Sequence, residues 1–186
     1  MLHIILADGF EEIEAVTIID VLRRCDLEVQ VISAVNRRFA TGAHGIMIMA
    51  DSTYRSSCLS GSECIILPGG LEAAKTLAAF DNLKYSLTLQ NRNGGLIAAI
   101  CAAPMVLGAA GVLRGRRATC YPGFESYLQG CEHVDGQVVE DGNLITANGP
   151  GAAMPFAFAI AARFADAMTI EQVRRGMILP KDGCTP

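Results

Sequence analysis

Leu96-Ile97-Ala98-Ala99-Ile100-Cys101-Ala102-Ala103-Pro104 is the stretch that decides how this chain is read. An uncharged apolar run of strand length ends at one cysteine, and small residues and a proline follow. The run suits a buried strand, and proline is tolerated in the first turn of a helix, where its missing N–H costs no hydrogen bond. The pattern predicts a strand over 96–100, a sharp turn at Cys101 and a helix to Ala109. A cysteine at such a turn is pushed out at the carboxyl end of its strand, and the following helix N-terminus favours its thiolate. Ala99 and Ala103, two residues either side, meet the steric demand of a nucleophile elbow, as the glycines of G-x-S-x-G do. The competing reading is an inert thiol, since free cysteine is among the most buried residue types.

Strands and helices alternate outward from this stretch. Strands are predicted over 2–7, 27–33, 64–67 and 118–120, and helices over 11–24, 80–91 and 123–128. Arg23 and Arg24 close the first helix, where cations suit the dipole. Residues 39–49 read as an irregular or hairpin region around Gly42 and Gly45. Its Met47 and Met49 alternate with Ile46 and Ile48, a core or edge packing pattern rather than a metal box. Strands over 137–140 and 144–146 flank Asp141-Gly142-Asn143, a strong hairpin signal. A helix opens at Pro150-Gly151 and runs to about Ala167, and Thr169 caps a last one to about Gly176. Such alternation predicts one α/β domain over 1–186 with a mostly parallel sheet covered on both faces.

Composition narrows the classes. Hydrophobic residues make up 51% of the 186, which excludes a disordered chain. No apolar stretch reaches the ~18 uncharged residues of a membrane span, and the opening residues read as a first strand rather than a signal peptide. A formal charge of −4 without a basic cluster argues against nucleic acid as a partner. The seven cysteines, Cys25, Cys58, Cys64, Cys101, Cys120, Cys131 and Cys184, are odd in number, scattered and free of C-x-x-C. That fits reduced thiols in a cytoplasm better than a disulfide framework or a zinc site. Neither G-x-G-x-x-G nor G-x-x-x-x-G-K-[ST] occurs, so no nucleotide cofactor is expected, and no metal.

Open α/β sheets place their crevices at the carboxyl ends of the strands. There the chain reads Asp8-Gly9-Phe10-Glu11-Glu12-Ile13-Glu14, Pro68-Gly69-Gly70, Cys101 and Asn148-Gly149-Pro150-Gly151. Glycine turns let the backbone approach closely and expose N–H groups, so this set can surround Cys101 with donors and acids.

The combination of Glu11-Glu12-Ile13-Glu14-Ala15-Val16, Leu67-Pro68-Gly69-Gly70, Ala98 to Pro104 and Gly149-Pro150-Gly151 resembles the ThiJ/PfpI family, of the class I glutamine amidotransferase-like superfamily. The likeness covers residues 2–168 and is nearest to the parkinsonism-associated deglycase branch. It implies a three-layer α-β-α, flavodoxin-like sandwich, a homodimer and a reactive Cys101. It also implies an oxyanion pocket of the Gly70 and Ala102 N–H groups, with Gly69 beside it, and a hydrogen bond from Glu14 to the cysteine. Burial would keep Glu14 protonated, so that it donates to a Cys101 thiolate; Ile18, Val21 and Cys25 at helical offsets supply an apolar setting. Without that role, Glu14 is an acid at a helix N-terminus, a task Glu11 and Glu12 already fill.

The chain also departs from the family. Many members carry a histidine directly after the cysteine, where this chain has Ala102. The branch's His-Pro dipeptide is Tyr121-Pro122 here, and an arginine of some relatives aligns with His44. Tyrosine is a poor base near neutral pH, its pKa being about 10, so the base for cysteine proteolysis is missing. His3 and His133 read as a strand-start and a surface residue. The leading expectation is a glutathione-independent glyoxalase or deglycase-like enzyme for small α-oxoaldehydes such as methylglyoxal. The alternative is an oxidative-stress sensor acting through Cys101. A protease or amidase, and a thiazole monophosphate biosynthesis protein, are family labels that no motif supports.

Overall fold

The computed structural model describes residues 1–54 and 59–180; Cys58 and Cys184 lie outside the described residues. At its centre is a seven-stranded sheet of β1 (Leu2–Leu6), β2 (Val29–Ser33), β5 (Ser52–Thr53), β6 (Cys64–Leu67), β7 (Leu96–Ile100), β10 (Val138–Asp141) and β11 (Leu144–Ala147). The order is β10-β11-β7-β6-β1-β2-β5, and every pairing is parallel except β10 with β11. The β1, β6 and β7 side chains are buried throughout, as parallel strands covered on both faces require. The predicted hairpin at Asp141-Gly142-Asn143 is this antiparallel pair, with Gly142 at φ 59° where the turn needs a left-handed residue.

Helices flank the sheet. α1 (Glu12–Arg24) packs against α5 (Ala153–Ala161), while α2 (Leu71–Ala78), α3 (Asp81–Arg92) and α4 (Pro104–Ala109) pack among themselves, with α3 and α4 touching β7. α6 (Ala167–Gly176) follows α5. The fold class is thus the predicted flavodoxin-like sandwich. Among the described residues, no helix is long and apolar enough to cross a membrane.

Several sequence expectations need correction. α2 was not foreseen: Ala73, Ala74 and Leu77 line its buried face, but small residues carry a weak periodic signal. The predicted helix from 150 to 167 begins as a short 3₁₀ turn and ends at Ala161. The cap of α6 is Asp166, whose Oδ1 accepts from Thr169 N–H at 2.8 Å, and not Thr169. Residues 39–49 do form a hairpin, one of the two forms expected, of β3 (Phe39–Thr41) and β4 (Met47–Met49). Met47 and Met49 are not core residues; they are 66% and 70% exposed. The strand expected over 118–120 is β8 (Arg117–Ala118), paired in parallel with an unforeseen β9 (Glu132–His133), and the helix expected over 123–128 is a single 3₁₀ turn at 125–127.

Candidate active site at the carboxyl edge of the sheet

The topology decides where the site lies. From β1 the chain runs through β2 to β5 at one edge, then crosses back to β6 and β7 on the other side of β1. Strand order reverses between β1 and β6, and a crevice opens at the carboxyl ends of strands on either side of such a reversal. β11, β7, β6 and β1 are consecutive in the sheet, so the glycine-rich and acidic turns that follow them meet.

Cys101 stands at the centre. Its φ is 64°, in the left-handed region that a non-glycine residue enters rarely, at a cost of about 1–3 kcal/mol. Two backbone bonds hold it there: its N–H donates to Ala147 O at 2.8 Å, and its carbonyl accepts from Tyr121 N–H at 2.9 Å. Pro104 opens α4 directly afterwards. This is the nucleophile-elbow geometry the sequence predicts. The residue is 8% exposed, and its sulfur meets the backbone N–H groups of Gly70 and Ala102.

Glu14 comes from the first turn of α1 and is fully buried. Its Oε2 accepts from Gly69 N–H at 2.7 Å, while its Oε1 is buried without a hydrogen-bond partner. Glu11 fixes this turn: its Oε2 caps Glu14 N–H at 2.8 Å and its own N–H donates to Gly69 O at 3.0 Å. Glu11 and Glu12 stand at the α1 N-terminus as expected, Glu11 as its N-cap and Glu12 in its first turn, and Glu12 also holds His44. Gly69 lies between the Glu14 and Cys101 side chains. A Cβ there would stand 2.7 Å from both Cys101 Cβ and Glu14 Oε2. Gly70 has φ 97°, and a Cβ on it would strike Gly9 O.

The two ionisable groups perturb each other. Burial pushes the Glu14 carboxyl up to about 7, against the pull of the Gly69 N–H and of Cys101. Burial and the Glu14 charge push the Cys101 thiol up to about 12, against the Gly70 and Ala102 N–H groups. Across the interval between these values the pair holds one proton.

Tyr121 and His44 stand apart from this core. The Tyr121 ring lies against Gly149, where a Cβ would be 3.3 Å from its Cδ2, and makes an edge contact with Phe124. It is half-exposed and borders the pocket through its backbone bond to Cys101. His44 is exposed and belongs to Glu12: its Nδ1 lies 2.8 Å from Glu12 Oε2 and its N–H donates to Glu12 Oε1 at 2.6 Å. The Glu12 hydrogen bond raises the His44 pKa. His3 is a β1 residue whose Nδ1 contacts Ser62 Oγ at 2.8 Å, and His133 is exposed.

Known proteins carry the same architecture. The DJ-1/PfpI family model matches residues 2–163. The protein dj-1beta of Drosophila melanogaster is 36% identical over 178 residues, 95% of each chain. Its crystal structure superposes with a TM-score of 0.92, covering 97% of this chain and 98% of that one. A deglycase of Pyrococcus abyssi is 32% identical over 150 residues, 80% of this chain and 89% of its own. The structure of oxidised Toxoplasma gondii DJ-1, 30% identical, gives a TM-score of 0.89 over 97% of this chain and 98% of that one. An elbow cysteine, a buried acid and backbone donors thus sit on a fold shared throughout with these proteins, and the chain belongs to the DJ-1/PfpI family.

Proposed function

We propose that the protein is a cysteine-dependent, glutathione-independent glyoxalase or deglycase-like enzyme acting on small α-oxoaldehydes such as methylglyoxal. The observation that carries this reading is the pairing of fully buried Glu14 with Cys101, whose sulfur meets two backbone N–H donors. The deglycase relative points the same way.

The reading requires the shared proton to reside on Glu14. Free carboxyl and thiol groups differ by about 4 pKa units, so about 6 kcal/mol favours a carboxylate beside a thiol. Two local contributions oppose it. The sulfur has two backbone donors, the carboxyl one; a hydrogen bond to a charged group is worth about 1.5–3 kcal/mol. A protonated Glu14 donates a strong O–H bond to the thiolate, where an ionised Glu14 accepts only the weak S–H of Cys101. Both favour charge on the sulfur, and the mechanism needs them to outweigh that bias.

The chemistry then follows. The thiolate adds to the aldehyde carbon, forming a C–S bond, and the carbonyl pair moves to oxygen, which takes the Glu14 proton. The Gly70 and Ala102 N–H groups hold that oxygen as its charge develops. Ionised Glu14 removes the hydrogen on the former aldehyde carbon as a proton, giving an enediol, and returns it to the neighbouring carbon while the hydroxyl proton passes from the first oxygen to the second, leaving a hydroxyacyl thioester. Water cleaves the C–S bond, releasing a hydroxy acid and restoring the thiol. No other protein base is needed, which suits a chain with Ala102 and Tyr121 where relatives carry histidines.

Purified protein should consume methylglyoxal and release lactate without glutathione, and Cys101→Ser should fall to background. Wild-type turnover no greater than that of the variant would overturn the reading.

A second reading has its own support: the structural neighbour solved as oxidised Toxoplasma DJ-1, and an unpartnered Glu14 Oε1 that can meet an oxygen added to sulfur. Peroxide oxidises a thiolate to sulfenic and then sulfinic acid. Mass spectrometry after mild peroxide should find Cys101 modified first among the seven cysteines; Cys184 reacting first would contradict it.

The family likeness also supports a homodimer. Ile13 and Val16 on α1 and Ile46, Met47 and Met49 of the β3–β4 hairpin are all exposed, and Val16, Ile19 and Ile48 line one groove between helix and hairpin. In this reading a second copy covers that apolar face.

A further inference from the structure

Cys120, Glu125 and His133 have no zinc-like spacing in sequence, yet the fold gathers them. The Cys120 sulfur, a Glu125 carboxylate oxygen and a His133 ring nitrogen all lie within 4.8 Å of one another. The pairing of β8 with β9 sets His133 opposite Ala118, two residues before Cys120. Val134 N–H donates to Ala118 O at 2.9 Å, and Thr119 N–H to Thr146 Oγ1 at 2.9 Å, tying this ladder to β11. Glu125 opens the 3₁₀ turn over Glu125–Tyr127, and its Oε1 accepts from Gly123 N–H at 2.9 Å. Cys131, half-buried at the start of the return to β9, is an electrostatic neighbour of Cys120.

We propose that Cys120, Glu125 and His133 form a binding site for a borderline divalent cation, Zn²⁺ being the best fit. A thiolate, an imidazole and a carboxylate make a donor set that zinc accepts with four ligands, at about 2.3 Å to sulfur and 2.0–2.2 Å to nitrogen or oxygen. Magnesium and calcium prefer all-oxygen sets. Cys120 is buried beneath while Glu125 and His133 are exposed, so a hydrated ion has an open approach, and the two surface side chains can close the remaining distance. On binding, Cys120 releases its proton to solvent and its sulfur supplies the electron pair. Water fills the fourth position. The site adjoins the Cys101 pocket: Tyr121 follows Cys120 directly, and its N–H bonds the Cys101 carbonyl. A bound ion therefore stiffens the segment that carries the Tyr121 ring at the pocket border.

The test uses the full-length Cys101→Ser protein, which removes the elbow thiol. Calorimetric titration with Zn²⁺ should show one equivalent bound, and Co²⁺ should give a thiolate-to-cobalt charge-transfer band with the visible spectrum of a tetrahedral site. Adding Cys120→Ser should abolish the band. Adding His133→Gln instead should weaken binding at least about tenfold, a loss that even an outer-shell partner carries. His133 is an exposed residue, so that arm stands even if the Cys120 variant fails to fold. Absence of Zn²⁺ binding in the Cys101→Ser protein would overturn the proposal. So would an undiminished cobalt band after Cys120→Ser, or unchanged affinity after His133→Gln.

Discussion

In the proposed reading, Glu14 is the residue whose protonation sets both chemistry and stability. Burial raises the first proton loss of the Glu14–Cys101 pair to about 7, from the 4.5 of a free carboxyl, so the folded state binds a proton that the unfolded chain releases earlier. That contribution is fully present below about pH 4.5 and is lost as pH rises through 7, amounting to about 3 kcal/mol at most. Denaturant titrations at pH 5 and pH 8 should show wild-type protein losing stability across this window, with a flatter profile for Glu14→Gln. An equal pH dependence in the two proteins would contradict the assignment. The same substitution removes the proton shuttle and should lower methylglyoxal turnover about 10²–10⁴-fold. Glu14 and Cys101 were both legible in sequence, one from motif resemblance and one from the apolar run ending in cysteine and proline. The roles of Glu11 and Gly69 were not. A cap and a close approach depend on where α1 meets the turn after β6, and that contact is between segments distant in sequence.

At the scale of elements, turns bring the site together and helices hold the turns. Gly69 is where β6 ends between Glu14 and Cys101, so Gly69→Ala would wedge a methyl group between them. We expect at least a tenfold loss of turnover in a protein whose circular dichroism is unchanged. Retained activity would mean that the pair does not need its contact. α6 gives a test remote from the site. Asp166→Ala removes the bond to Thr169 N–H and should cost about 1 kcal/mol, measured by denaturant unfolding, without changing turnover. The predictions for β1, β6, β7 and the β10–β11 hairpin matched because each has an uninterrupted apolar run or a strong turn signal. The break between α5 and α6 was hidden because Arg163-Phe164-Ala165 contains neither glycine nor proline. α2 was hidden by its alanines, whose burial arises from packing against α4 rather than from a visible hydrophobic stripe.

The whole molecule places four strand ends side by side and leaves one apolar face open. The exposure of Met47 and Met49 could not be read from a pattern that also fits a half-buried strand. If a second copy covers this face, Val16→Asp should convert the dimer to the 19.7 kDa monomer in analytical ultracentrifugation; a wild-type monomer would refute that assembly. The sheet, both helix layers and the glycine turns together keep a carboxyl and a thiol in contact away from water. Their shared proton is the centre of the account. The most direct test is ultraviolet titration of thiolate absorbance in wild type, with Cys101→Ser as the blank and Glu14→Gln alongside. The account predicts that the Cys101 thiolate appears with an apparent pKa near 7, the first proton lost from the pair, and that Glu14→Gln shifts it. A thiolate that forms only near 12, or at the unperturbed value of about 8.5 and without regard to Glu14, would contradict it.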